Sequence, residues 1–290
     1  MDKKRLWILA ALFGALVALA CGVTINLPED AIQVGPVVTN DINIAVPKSG
    51  DPAKVKLNFG TGSLKIRPAN IDGLIAGKAS YNVKELKPSI TTSGDDVKIE
   101  SGTFDYELTG LPNFTEIENK WELKFGTYPM TLNLRAGAFK GDLDLGGLSL
   151  KNLEILSGAS SVNVDFSEPN LVSMNAINIS TGASTMKLHH LANANFSLFE
   201  FKGGGGTYVF DFSGSLQRDA SVQVDVGLGT VEIIVPKGVP AKVTVNGQLN
   251  TVNTSGKWQG DGNKYSQPGS GSSLDISITA NAGTLSLSNP

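Results

Sequence analysis

Chemistry in this chain has few candidates. Its only two histidines, His189 and His190, stand next to each other. By the repeat described below, His189 points outward and shares a column with Asp165 in the preceding repeat and Asp211 in the next. If the repeats stack in parallel, an Asp–His–Asp ladder could bind a divalent metal or carry weak acid–base chemistry. The plainer reading is a solvated polar column, and no metal site is assigned. Asp142 and Asp144, two residues apart, share one strand face. Ca²⁺ takes six to eight oxygens, so two carboxylates fall short. The run Gly203-Gly204-Gly205-Gly206 is followed by no lysine and opens no helix, so the basis of a phosphate loop is missing. It reads as a repeat turn with extra glycine, and Phe210 and Phe212 read as core. No Ser–His–Asp set, acid pair or zinc spacing is present, so no catalytic residue and no cofactor is expected.

One further residue carries a specific chemical expectation. Cys21 is the single cysteine of 290 residues. It follows Asp2-Lys3-Lys4-Arg5, the apolar run Leu6 to Ala20, and Ala18-Leu19-Ala20. This arrangement resembles a bacterial lipoprotein signal, which implies cleavage and lipidation at Cys21. The run is short for a bilayer span, which needs about 20 residues, and suits a cleavable signal core. A lipidated Cys21 leaves the exported chain without a thiol, hence without intramolecular disulfides. The localisation expected is the extracytoplasmic face of a bacterial envelope, held by lipid.

The composition is that of a globular β protein, with 41% hydrophobic residues, 18% charged residues and 33 glycines. The formal charge of −3 becomes −5 without the basic start. An acidic chain lacking basic clusters excludes nucleic acid as a natural partner. It equally disfavours electrostatic docking on anionic lipid.

Candidate side chains must be positioned by some framework, and that framework is a repeat. In Val222 to Ile233, two alternating strands flank a Gly-x-Gly-Thr turn. Its first position recurs at Arg135, Gly158, Gly182, Gly204, Gly227 and Gln248, with further copies at Gly60 and Asn281 outside the regular array. Five and three residues before the turn stand apolar columns, such as Leu153, Ile177, Val222 and then Ile155, Ile179, Val224. The residues between them, such as Glu154, Asn178 and Gln223, are polar. Period-two alternation places one column inside and the other outside. Glycine at the turn, including Gly229 and Gly283, and Asn250 in one copy, predicts positive-φ corners.

A rung of about 23 residues is too short for a βαβ unit of about 30. The expected fold is therefore all-β: a repetitive, single-stranded β-helix-like solenoid. A β-sandwich or roll of hairpins is the alternative. Residues 1–21 form the signal and lipidation site, and 22–39 a tether. Residues 40–115 are expected to form an N-terminal β subdomain that caps the stack. The solenoid follows over 116–290, with Trp121 packed at the junction and an inserted loop at 255–273 bearing Trp258 and Tyr265.

The segments Val55 to Leu64, Leu153 to Val162 and Val222 to Val231, with Asp165-Phe166-Ser167-Glu168-Pro169, resemble the bacterial toast-rack family. The resemblance covers about Asn40 to Leu287. It extends more distantly to adhesin-type repeat domains and to the extracytoplasmic domain of envelope-stress regulators. It implies an extracytoplasmic β-repeat fold without established catalytic residues. Three functions compete. One is a non-enzymatic, surface-anchored binding or adhesion module, anchored in the membrane through lipid and facing an envelope glycan or membrane protein. Another is a regulatory domain in envelope-stress signalling. The third is a glycan-active enzyme, for which only the Asp165–His189–Asp211 column offers groups.

Overall fold

The computed structural model describes residues 34–102, 117–247 and 251–290. The signal, Cys21 and Asn250 lie outside the described residues. The strands are β1 (Val34–Ile44), β2 (Ala53–Pro68), β3 (Ile75–Val83), β4 (Ser89–Ser93), β5 (Asp96–Glu100), β6 (Asn119–Phe125), β7 (Met130–Asp144) and β8 (Leu150–Asp165). They continue with β9 (Met174–His189), β10 (Phe196–Asp211), β11 (Ala220–Ile234), β12 (Ala241–Gly247), β13 (Thr251–Ser255), β14 (Gln259–Asp261), β15 (Lys264–Gln267) and β16 (Leu274–Ser288). All belong to one sheet.

The centre of that sheet is parallel. Strands β2, β7, β8, β9, β10, β11 and β16 lie side by side in this order, each pairing with the next along most of its length. Parallel pairing of successive repeats rules out hairpins as their connection, and the expected repetitive stack is the architecture observed. Inward residues from both halves of each long strand, such as Ile155 and Val164 in β8, are buried in one core. Return segments close the other side and bury Leu148, Phe166, Leu191 and Phe212. Asparagines tie them down: Asn170 donates to the Leu150 carbonyl at 2.8 Å and accepts from the Leu150 N–H at 2.9 Å. Asn193 bridges two segments instead, donating to the Phe166 carbonyl and accepting from the Ser215 N–H, both at 2.9 Å.

Three expectations shift. The sheet runs unbroken past residue 115, because β2 is a full rung paired with β7; only its neighbours form a cap. Val34–Thr39, expected to be tether, belong to β1. The copy around Asn281 is not outside the array: β16 lies between β11 and β12, so spatial order departs from chain order. It is held there by Asp219, whose carboxylate accepts the Ser273 N–H at 2.7 Å and the Ser273 hydroxyl at 3.0 Å. Those two bonds hold the Asp219 carboxyl below the usual carboxylate range.

Both ends of the stack follow one plan. The rung beside β2 is split into β5 and β6, and the rung beside β16 into β12 and β13. Antiparallel strands then cover three of the four half-rungs: β4 on β5, β3 and β1 on β6, and β15 and β14 on β12. The expected loop at 255–273 is thus largely a capping hairpin, with Trp258 and Tyr265 packed against the core. Trp121, on β6, is fully buried and meets Phe59 edge-on at 5.3 Å, as placed from sequence.

The repeat turn is a bend within a continuous strand. The first glycine column, Gly158, Gly182, Gly204 and Gly227, lacks the positive φ expected of it. Its requirement is close approach along the stack. A Cβ on these residues would stand 3.1, 2.7, 3.0 and 2.5 Å from the carbonyl oxygen of the glycine one rung before. The positive-φ position is the second column, where Gly229 has φ 150° and a Cβ would collide with the Gly206 carbonyl.

Strand β10 supplies an aromatic layer. Phe201 lies 4.8 Å edge-on from both Tyr208 and Phe210, and Phe199 lies 5.4 Å from Phe210. Phe210 and Phe212 are buried, as expected. Gly203 makes room for the Tyr208 ring, whose hydroxyl is buried without a hydrogen-bond partner. Burial pushes the Tyr208 phenol up.

Two predictions follow from this packing. Gly229→Ala is expected to lose about 2–4 kcal/mol in urea unfolding, from strain and carbonyl overlap. Gly205→Ala, whose Cβ would meet only the Leu228 carbonyl at 3.6 Å, is expected to change stability little. Tyr208→Phe is expected to match or exceed the parent by about 1–2 kcal/mol, because it removes a buried hydroxyl without a partner. A raised folded-state pKa gives stability that is complete below the unfolded tyrosine pKa of about 10 and is lost as pH climbs through the folded value. Parent minus Tyr208→Phe stability should therefore fall above about pH 10.

Candidate binding surface along the strand bend

The residues with chemical potential occupy three places on the outer face. Near the strand ends, Asp165 and His189 are lateral neighbours in β8 and β9, as the repeat implied. The hydrogen bond, however, goes to His190: its Nδ1 lies 2.7 Å from Asp165 Oδ1. His190 takes a left-handed conformation, φ 52°, as the chain leaves β9, and this turns its ring back toward β8. Asp211 accepts the Ser213 N–H at 2.9 Å and so caps its own turn. Asp144 likewise accepts the Gly146 N–H at 3.0 Å and the Ser167 hydroxyl at 2.8 Å. Asp142 is engaged by the Arg67 guanidinium, which also donates to the Asp142 carbonyl at 2.8 Å. These carboxylates are thus committed to turns at strand ends, to His190 and to Arg67. Among the described residues, no three His, Cys, Asp or Glu side chains gather around one point. The Asp165–His190 contact is half-exposed, and solvent screening leaves such a pair about 0–1 kcal/mol.

The second place is the bend. The glycine columns strip side chains from its crest and leave a shallow depression on either flank. The flank before the crest, about 460 Å³, is lined by Leu156, Ser180, Lys202 and Asp225 from four successive rungs. The flank beyond it, about 600 Å³, is lined by Ala183, Thr185, Gly205 and Leu228. Leu156 is 43% and Leu228 61% exposed, and neither belongs to the buried core.

The third feature adjoins this second flank. Ser161, Thr185, Thr207, Thr230, Thr284 and Thr251 are paired rung to rung across six strands. In-register parallel stacking repeats a hydroxyl about every 4.8 Å, with a methyl group beside it at each of the five threonines. The sequence signal was the Thr closing Gly-x-Gly-Thr, which draws attention to the turn rather than to the ladder it makes. Leu156 and Leu228 carried no signal, because an exposed leucine within a strand pattern looks like any other apolar residue.

Solved structures offer likenesses of low identity. One is a "putative cell adhesion protein" from Clostridium sporogenes ATCC 15579, 19% identical over 88% of this chain and 100% of that one, with a TM-score of 0.49. Another is a "putative adhesin" from Bacteroides fragilis NCTC 9343, 10% identical over 87% and 97%, with a TM-score of 0.33. A third is a "putative lipid binding protein" from Parabacteroides distasonis ATCC 8503, 9% identical over 87% and 97%, with a TM-score of 0.35. TM-scores below 0.5 lend no weight to a shared function. No curated protein matches the chain. Residues 33–188, however, match the family described as the N-terminal domain of toast_rack, DUF2154, and with its parallel rungs and bends in that stretch the chain belongs to the toast_rack family.

Proposed function

We propose that this protein is a non-enzymatic, lipid-anchored envelope protein whose bend surface binds an extended neutral glycan of the cell envelope. The observation that carries this reading is the continuity of that surface. One apolar step, Leu228, a floor of Ala183 and Gly205, and a threonine ladder run across successive rungs. A sugar chain presents apolar ring faces and hydroxyls at regular intervals, and such a surface offers a contact for each. A small compact ligand would find little enclosure here; such sites normally bury most of their ligand. Repeat stacks present extended lateral faces of this kind to long partners. The Cys21 signal supports the envelope setting, as does membership of a family that resembles extracytoplasmic β-repeat proteins.

The test is capture of labelled envelope glycans and cell-wall fragments by cells carrying the protein, with a Cys21→Ser version controlling for anchoring. Leu228→Glu and Thr207→Glu together are expected to weaken saturable capture at least about tenfold, equivalent to about 1.4 kcal/mol. Chelation of divalent metal should leave capture intact. Capture that is unchanged by the double substitution would remove the bend as the binding surface. A complete lack of glycan capture would turn the reading toward a membrane protein partner.

A further inference from the structure

Strand β1 forms one outer edge of the sheet, and it carries an apolar end that the fold leaves uncovered. Val34, Val37 and Val38 are 44%, 52% and 46% exposed. Between Val34 and Val38 the register to β3 shifts: four residues advance on β1 while two advance on β3, from Val83 to Tyr81. Gly35 to Val37, three residues where β3 has only Asn82, therefore form a bulge with two extra residues, and Pro36 among them has no N–H to donate. A bulge and a proline on an edge strand prevent another strand from adding there. A second copy joining edge to edge is thus disfavoured, yet the valines remain turned outward. Their charged neighbours after β3 are Lys84, Glu85 and Lys87, with Glu118 from the segment leading into β6; all four are exposed and mixed in sign. This end is apolar with a balanced rim, suited to neither a basic nor an acidic partner.

Chain length supplies the occupant. Residues 22–33 separate Cys21 from Val34 and span at most about 40 Å when fully extended. No other part of the described sheet is as close to Cys21 along the chain. We infer that the bulged end of β1, with Val34, Val37 and Val38, rests in the interfacial layer of the bilayer that holds the lipid anchor. This inference rests on the reading of Cys21 as the lipidated residue. It gives the stack a direction. The sheet rises from β1 through β3, β6, β2 and β7, and the bend grooves of β8 to β11 stand roughly 25–40 Å above the membrane, at about 4.8 Å per strand. The binding surface would then face the envelope beyond the headgroups. Because the contact is apolar, it should not depend on anionic lipid or on salt.

The experiment uses full-length, lipidated protein reconstituted in phosphatidylcholine vesicles containing a nitroxide lipid labelled near the headgroup. Lipidation blocks Cys21, so a fluorophore can be attached at Val37→Cys or, as a control on the bend, at Leu228→Cys. Quenching at position 37 is expected to exceed that at 228 at least about twofold, and to be unchanged by added phosphatidylglycerol or by 0.5 M salt. In a Val34→Ser, Val38→Ser background, quenching at 37 should drop toward the control. Vesicle-bound protein with equal quenching at 37 and 228 would overturn the β1 contact while leaving the anchor intact. Quenching at 37 that the serine background does not reduce would also overturn it, since tether proximity alone would then explain the signal. Protein with an unmodified Cys21 that fails to stay on vesicles would overturn the contact and the anchor together.

Discussion

Everything in this molecule depends on how closely two backbones can approach at the bend. A parallel ladder keeps successive rungs near 4.8 Å apart, and each rung must bend at the same residue for the register to persist. At the crest, carbonyls of one rung point at the α-carbons of the next, and a side chain there would occupy the space the neighbouring oxygen needs. Glycine at Gly158, Gly182, Gly204 and Gly227 is therefore a demand of stacking rather than of turn conformation. The same demand leaves the crest bare, with grooves on both flanks and the threonine ladder beside them. Fold and candidate surface have one cause.

A parallel stack built this way would be open at both ends, and open strand edges recruit other chains. The molecule answers with antiparallel strands that cover β5, β6 and β12 of the split terminal rungs, and with the proline bulge of β1 at the outermost edge. The C-terminal end needs an additional device. Strand β16, last in the chain, fits beneath β12 and β13 rather than on top of them, so the final rung is held between earlier ones. The Asp219–Ser273 bonds fasten its start, and Asn289 fastens its end by donating to Gln267 at 2.7 Å. Gln267 in turn donates to the carbonyls of Pro236 and Val239, both at 2.7 Å.

Much of this was legible in the sequence, because period-two alternation and a repeat of about 23 residues report directly on burial and stacking. The columns through Leu153, Ile177 and Val222 hold in the structure as lateral neighbours of one another or of a common rung. Between β7 and β8 the reading slipped by two residues. Leu153 faces Leu132 of β7 rather than Met130, and Gly158 falls opposite Gly137 rather than Arg135. A shift of two leaves every side chain on its own face, so hydrophobic pattern alone cannot detect it. Spatial order was hidden for a related reason: β16 and β12 have the same inward pattern, and either could follow β11. The histidine exchange was hidden because His190 lies beyond the strand, where alternation no longer governs direction. Its left-handed backbone, unusual for a residue other than glycine, turns its ring to Asp165.

The sheet order β11–β16–β12 is the feature that most distinguishes this account from a stack that simply follows the chain. Two cysteine pairs in a Cys21→Ser background distinguish them. Gln223→Cys with Ser277→Cys joins residues that are direct lateral partners in β11 and β16. Gln223→Cys with Thr244→Cys joins β11 to β12, two strand spacings or roughly 9.6 Å apart, beyond the reach of a disulfide. The account predicts rapid oxidative cross-linking of the first pair in the native protein and none of the second. Cross-linking of the second pair with the first left free would show that the repeats stack in chain order, and would contradict it.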